Sequence, residues 1–167
     1  MLITPHELEL HRITVSKAYD PGSLDYHSTD FEQVGPLKAQ ATAELVNAEI
    51  RIRGNLSARL RGHCDRCLKD VEFPVEQGFD LFYRPMATIA REEEIQIDED
   101  ESEVGFFSGE GVQFEDVLAE QVTLALPMKL LCREECLGLC PVCGADRNVQ
   151  KCNCTTEAHE SPFDALK

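Results

Sequence analysis

Eight cysteines constrain this chain more than any other feature, and they fall in close pairs: Cys64 with Cys67, Cys132 with Cys136, Cys140 with Cys143, and Cys152 with Cys154. What they can do depends on the compartment. Met1 to Arg12 carries Glu7, Glu9 and two histidines and has no apolar signal core. No stretch approaches the ~18 apolar residues of a spanning helix. The expected setting is therefore the reducing cytoplasm, where thiols do not persist as structural disulfides and close pairs point to metal. Isolated buried thiols behave as small apolar side chains, but pairing at short spacing is not their pattern.

Zinc takes four soft ligands at tetrahedral corners, and thiolates meet that need. The eight cysteines then divide into two sites. The preferred partition is Cys64, Cys67, Cys132 and Cys136 as one site, and Cys140, Cys143, Cys152 and Cys154 as a compact local one. The competing arrangement is a single site drawn from the C-terminal six, with His63 or His159 able to replace a cysteine. Four thiolates do not by themselves exclude an iron–sulfur cluster. Glycines flank the second CxxC, at Gly138 and Gly144, and let backbone amides turn toward thiolates. A closed four-thiolate site leaves no position for water or substrate. His6, His11, His27, His63 and His159 lie in no nucleophile-elbow, Walker or HExxH context, and no βα setting suits a redox CxxC. No enzyme is expected.

Around the cysteines the chain reads as α+β: a mostly antiparallel β-sheet or partly open barrel, one main helix and a C-terminal zinc-knuckle module. Its 167 residues suit one β-rich domain over 1–131 with a cysteine-rich, zinc-binding tail over 132–167. Leu8 to Val15 suggests extended structure broken near His11. Leu37, Ala39, Ala41, Ala43 and Leu45 alternate with polar residues and predict a half-buried strand. Ile50 and Ile52, then Ala58 and Leu60, predict a hairpin turning through Gly54, Asn55 and Leu56. In that register Ile52 faces Ala58, Arg51 faces Arg59 and Glu49 faces Arg61. Val71, Phe73 and Val75, then Phe79, Leu81 and Tyr83, predict further strands, with Pro74 at an edge or bulge. Arg91 to Glu103 holds eight acids against one base and reads as a solvated loop. Phe114, Val117, Leu118, Val122, Ala125 and Leu126 form one helical stripe over 114–126, closed by Pro127.

The formal charge is −15, from 16 basic and 31 acidic residues, which argues against coating of long nucleic acid or an anionic membrane by bulk charge. Yet Arg51 to Lys69 holds six bases and one acid. A local basic face on an acidic body suits a limited contact with phosphates, which arginine grips bidentately. The candidate contacts are Arg51, Arg53, Arg59, Arg61, Arg66 and Lys69.

These residues converge on a family. CDRCL follows the basic segment, LALP ends the helix, and the tail reads LCREECLGLCPVCG, then NVQKCNC and SPFDALK. The chain resembles the YceD-like family, the large ribosomal RNA subunit accumulation proteins, in its cysteine-rich branch, from about Leu37 to Lys167. One departure is Ala145-Asp146-Arg147-Asn148, where the family tail reads more like Asn-Leu-Asn. The resemblance implies a non-enzymatic, cytoplasmic ribosome-biogenesis factor that supports accumulation or processing of large-subunit (23S) ribosomal RNA, with that RNA or a pre-ribosomal particle as partner. A zinc-dependent protein–protein adaptor without RNA contact is the alternative. A zinc-ribbon transcription regulator is disfavoured, because no helix with exposed basic residues is present to read a groove.

Overall fold

The computed structural model describes residues 1–86 and 104–154. The whole acidic run Arg91 to Glu103, His159 and the C-terminal SPFDALK lie outside the described residues. The chain divides into two units: Met1–Arg61 with Glu72–Pro127, and Gly62–Val71 with the chain from Met128 onward. Relative to segments 1–131 and 132–167, the difference is that the first CxxC is grouped with the cysteine-rich tail.

The first unit is α+β and mostly antiparallel. Its strands are β1 (Leu2–Ile3), β2 (Ile13–Tyr19), β3 (Phe31–Gln33), β4 (Leu37–Val46), β5 (Glu49–His63), β6 (Asp70–Pro85), β7 (Val104–Phe107) and β8 (Val112–Gln113); the last two residues of β5 and the first two of β6 belong to the second unit. Helix α1 spans Pro5–Leu10 and helix α2 spans Phe114–Leu124. The main sheet runs β2-β4-β5-β6-β7, with β3 pairing β5, and β1 and β8 form a separate ladder. β2, β4 and β5 are antiparallel neighbours, whereas β7 is parallel to β6. The sheet is open.

The expected extended segment at Leu8 is instead the short helix α1. Thr4 caps it, its hydroxyl accepting from the Glu7 N–H at 3.3 Å, and Pro5 occupies the first turn. This is the preferred chemistry for a helix start, and the chain extends only from Ile13.

The expected hairpin turn at Gly54 is corrected by the ladder. β5 is one continuous strand, and its partner is β4, with Ile52 opposite Ala43 and Arg51 opposite Glu44. Arg51 therefore does not face Arg59. The turn lies at Asn47-Ala48, where both residues have positive φ, 49° and 68°. A two-residue hairpin with both central φ positive matches the right-handed strand twist. Gly54 serves a different purpose. A Cβ there would lie 2.3 Å from the Gln40 carbonyl and 2.7 Å from the Ala41 Cβ. Only glycine lets β4 and β5 approach this closely, a recognised role of a strand glycine.

Alternation runs unbroken through β5: Ile50, Ile52, Leu56, Ala58 and Leu60 are buried and the odd positions look outward. β6 is likewise one strand rather than two, with Val75, Phe79 and Tyr83 buried and Pro74 outward. Beneath the sheet, Phe114, Leu118 and Val122 of α2 are completely buried, with Val117 close to it, and they share one apolar core with Leu37, Ile50, Ile52 and Leu60. α2 ends at Leu124, and Ala125 and Leu126 still pack on that core. Two polar side chains are buried among the described residues, Gln33 and Gln121. Gln33 is 8% exposed and fully partnered: its amide donates to the carbonyls of Tyr19 and Gly35, and its oxygen accepts from the Tyr26 hydroxyl.

Candidate metal centres and the cationic residues

The second unit is built around two turns of one design. In the first, the Cys64 N–H donates to the Lys69 carbonyl and the Leu68 N–H to the Cys64 carbonyl, both at 2.8 Å. In the second, the Cys140 N–H donates to the Ala145 carbonyl at 2.8 Å and the Gly144 N–H to the Cys140 carbonyl at 2.9 Å. Each turn places a positive φ one residue after its second cysteine, 59° at Leu68 and 71° at Gly144. Such a turn aims backbone N–H groups at the leading thiol.

Two cysteine quartets assemble on these turns: Cys64, Cys67, Cys132 and Cys136, here the inner quartet, and Cys140, Cys143, Cys152 and Cys154, the outer. Within each, the four sulfurs lie within 4.8 Å of one another. The Cys64–Cys136 and Cys67–Cys132 sulfurs are 3.9 and 3.6 Å apart. A tetrahedron of Zn–S bonds near 2.3 Å has edges of about 3.8 Å, so these separations fit an ion. Cys64, Cys67 and Cys136 of the inner quartet pack with Val71, Leu131 and Leu139, while Cys132 is exposed. In the outer one, Cys143 and Cys154 are exposed.

The electrostatics point the same way. Burial alone would push the Cys64 thiol up. The backbone N–H groups of Cys132, Arg66 and Cys67 outweigh that and bring it down to about 6. Cys140 is lowered to about 6 by the N–H groups of Cys143 and Val142 and by the Cys152 thiol. Their neighbours move the other way. Cys132 is raised to about 12 by burial and by the other thiols, and Cys154 to about 12, chiefly by Cys143. Four thiolates this close repel one another, and a divalent cation removes that conflict. Each quartet could therefore hold a metal ion. His63 sits outside both sets and pairs with Asp70 at 2.9 Å.

Several groups that sequence spacing does not reveal support the inner quartet. Arg66 donates to the carbonyls of Glu134 and Cys136 at 3.1 and 2.8 Å. The Leu139 N–H donates to the Arg66 carbonyl at 2.9 Å. Gly138, φ 71°, passes so near that a Cβ would lie 2.8 Å from that same carbonyl. Asn148 donates to the Cys136 sulfur at 3.4 Å. A residue in a short connecting loop of no marked pattern carries no sequence signal for such a role.

The six cationic candidates separate into two groups. Arg51 is bidentate to Asp80, at 2.8 and 2.6 Å, lies 3.7 Å from Glu44 and covers the Phe82 ring. Arg61 holds Glu32 and Glu72 at 2.7 and 2.9 Å. Arg66 serves the carbonyls just described, and Lys69 pairs with Asp146 at 2.7 Å. Arg53 and Arg59 form no salt bridge among the described residues, though Arg53 is near enough to Asp80 to help lower its carboxyl behind Arg51. Arg59 shares a shallow hollow of about 370 Å³ with Lys38, Ser57 and Glu76.

A β-sheet unit followed by paired cysteine quartets able to hold metal defines the class of protein. The chain belongs to the family described as large ribosomal RNA subunit accumulation protein YceD, whose profile matches residues 52–167. All eight cysteines fall inside that match. Uncharacterised proteins of Mycobacterium tuberculosis and Mycobacterium bovis are 29% identical over 137 residues, 81% of this chain and 61% of theirs. One from Mycobacterium leprae is 26% identical over 116 residues, 69% of this chain and 51% of its own. The chain thus spans little more than half the length of these relatives. No solved structure matches it. No described helix is long and apolar enough to cross a membrane.

Proposed function

We propose that the protein is a non-enzymatic, cytoplasmic ribosome-biogenesis factor that supports accumulation of large-subunit ribosomal RNA and is held together by two zinc ions. The observation that carries this reading is that the family match encloses both quartets, so the matched region is also the cysteine-bearing one. Zinc is favoured over other divalent ions because all-thiolate tetrahedral sets select it. With every ligand position filled by sulfur, the ions would brace structure and perform no substrate chemistry.

Direct RNA contact, on this reading, falls to Arg53 and Arg59, with Lys38 beside Arg59. Neither arginine is neutralised by an ion-paired carboxylate within the described residues. Arg51, Arg61 and Lys69 are engaged by acids, which favours the adaptor as second reading, with few free cations and a protein partner. The experiment is the double variant Arg53→Glu/Arg59→Glu, assayed for co-sedimentation with pre-ribosomal particles and for crosslinking to RNA. Association should weaken with the melting curve unchanged. The slope of log affinity against log salt should drop by about one for each phosphate no longer gripped. Unchanged RNA association with an intact fold would transfer the function to a protein partner.

A further inference from the structure

We infer that the loop closing the outer quartet also completes the inner one, with Asn148 as a positioning residue, so that the two quartets bind their ions cooperatively; this rests on the zinc reading above. Asn148 lies between Cys143 and Cys152, inside the chelate of the outer quartet. Its side chain is nonetheless directed at the inner one. Its amide nitrogen donates to the Cys136 sulfur at 3.4 Å, and its oxygen accepts from the Leu137 N–H at 2.9 Å and from Arg133 at 2.8 Å. These partners belong to or adjoin the Cys132–Cys136 segment, so one side chain fixes both the sulfur and the backbone next to it.

Asn148 is itself held by its loop. Asp146 accepts from the Asn148 backbone N–H at 2.9 Å and from its side-chain amide at 2.7 Å. Asp146 also pairs with Lys69, at the end of the first CxxC turn. The Arg147 N–H donates to the Gly138 carbonyl at 3.0 Å. Contacts from 146–148 therefore reach both cysteine pairs of the inner quartet. The short loop between Cys143 and Cys152 pays its ordering entropy once. An ion in the outer quartet fixes both ends of that loop. Asn148 then meets Cys136 already ordered, and the inner ion gains by the difference. Reciprocity requires the inner ion to favour the outer to the same degree.

The test uses the full chain, loaded with zinc or with cobalt, whose thiolate absorption counts sulfur ligands. Affinity for the inner ion is read by competition with a chromophoric chelator in five proteins: Cys152→Ser/Cys154→Ser, the same with Asn148→Ala, Asn148→Ala alone, Asn148→Asp alone, and wild type. Removing the outer ligands should weaken inner binding about 10- to 100-fold, the range for lost outer-shell partners. Asn148→Ala alone should weaken it comparably while two ions still bind. In the Cys152→Ser/Cys154→Ser background Asn148→Ala should add less than about twofold, because the loop is already released and the two changes are not independent. Asn148→Asp, which keeps the acceptor and loses the donor to sulfur, should weaken inner binding at least as much as Asn148→Ala. Inner affinity unaffected by Cys152→Ser/Cys154→Ser, or fully additive losses, overturn the coupling. Asn148→Asp with wild-type affinity overturns the role of the N–H···S bond. Wild-type protein that is folded and binds neither ion overturns the zinc reading beneath it.

Discussion

The two CxxC turns share one hydrogen-bond plan and part company in what surrounds them. Three of the four inner cysteines, Cys64, Cys67 and Cys136, are at most 5% exposed among apolar neighbours, with Cys132 exposed, whereas in the outer set only Cys140 is buried and Cys143 and Cys154 face solvent. The plan also tolerates different residues at its left-handed position, leucine at 68 and glycine at 144. Local backbone chemistry makes a turn fit to present two thiols, and packing decides how much of the fold depends on it. The inner turn is tied into an apolar cluster. The outer has mainly its own ligands and loop to hold it.

The largest expected effect comes from removing each turn in its entirety. Cys64→Ser/Cys67→Ser should lower the melting temperature by about 10 °C or more, as loss of a structural metal site usually does. Cys140→Ser/Cys143→Ser should cost less, roughly half as much, through its own ion and the weakened inner one. Elemental analysis should find about one zinc ion per chain in either variant, against two in the parent. Equal melting shifts from the two pairs would break the comparison.

A smaller effect separates the left-handed positions. Gly144→Leu should destabilise by roughly 1–2 kcal/mol, because a Cβ is crowded at positive φ. Leu68→Gly should recover part of that penalty at the first turn and raise stability by up to ~1 kcal/mol in denaturant unfolding, since Leu68 is 63% exposed and has little packing to lose. A loss on Leu68→Gly would show that the leucine side chain contributes more than its exposure suggests.

Acid tests the link between the turns. The Lys69 ammonium beside Asp146, with the Asn148 amides, holds that carboxyl down at about 2, against 3.8 when free. A carboxyl lowered on folding stabilises above its unfolded value, and that stability is lost as pH falls through the folded one. The melting difference between the parent and Asp146→Asn should hold steady from pH 7 to about 5 and shrink below about 4. A difference that grows on acidification would overturn the pairing. The smallest effect concerns the arginines: Arg51→Ala should lower the melting temperature measurably, and Arg53→Ala should leave it within error.

Much of this was legible in residue order. The α2 stripe and the parity of β4, β5 and β6 follow from spacing, whereas spacing favoured the two cysteine quartets that the structure groups without excluding a single C-terminal site. The turns were less so. Asn47-Ala48 makes a tight hairpin without the Asn-Gly signature, whereas Gly54-Asn55 resembles a turn but sits mid-strand, because a glycine needed for close approach looks the same in sequence as one needed for φ. Parity is preserved in either arrangement, so burial could not choose between them. The partners of Arg51 and Arg61 were hidden for a related reason. Glu32, Glu72 and Asp80 come from other strands, and only the ladder brings them alongside.

The inner quartet joins cysteines 65 and 72 residues apart across its closest sulfur pairs, whereas the outer one is gathered within Cys140 to Cys154. Closing the longer loop costs about 2 kcal/mol more in chain entropy, by the logarithmic dependence on length. The outer quartet can therefore close over a short stretch of chain, at the smaller entropy cost. The inner one must wait until the intervening strands and α2 have collapsed and carried Cys132 back to Cys67. Folding order is in this way written into ligand order, and a chain released early would carry its first CxxC as an open, reactive dithiol.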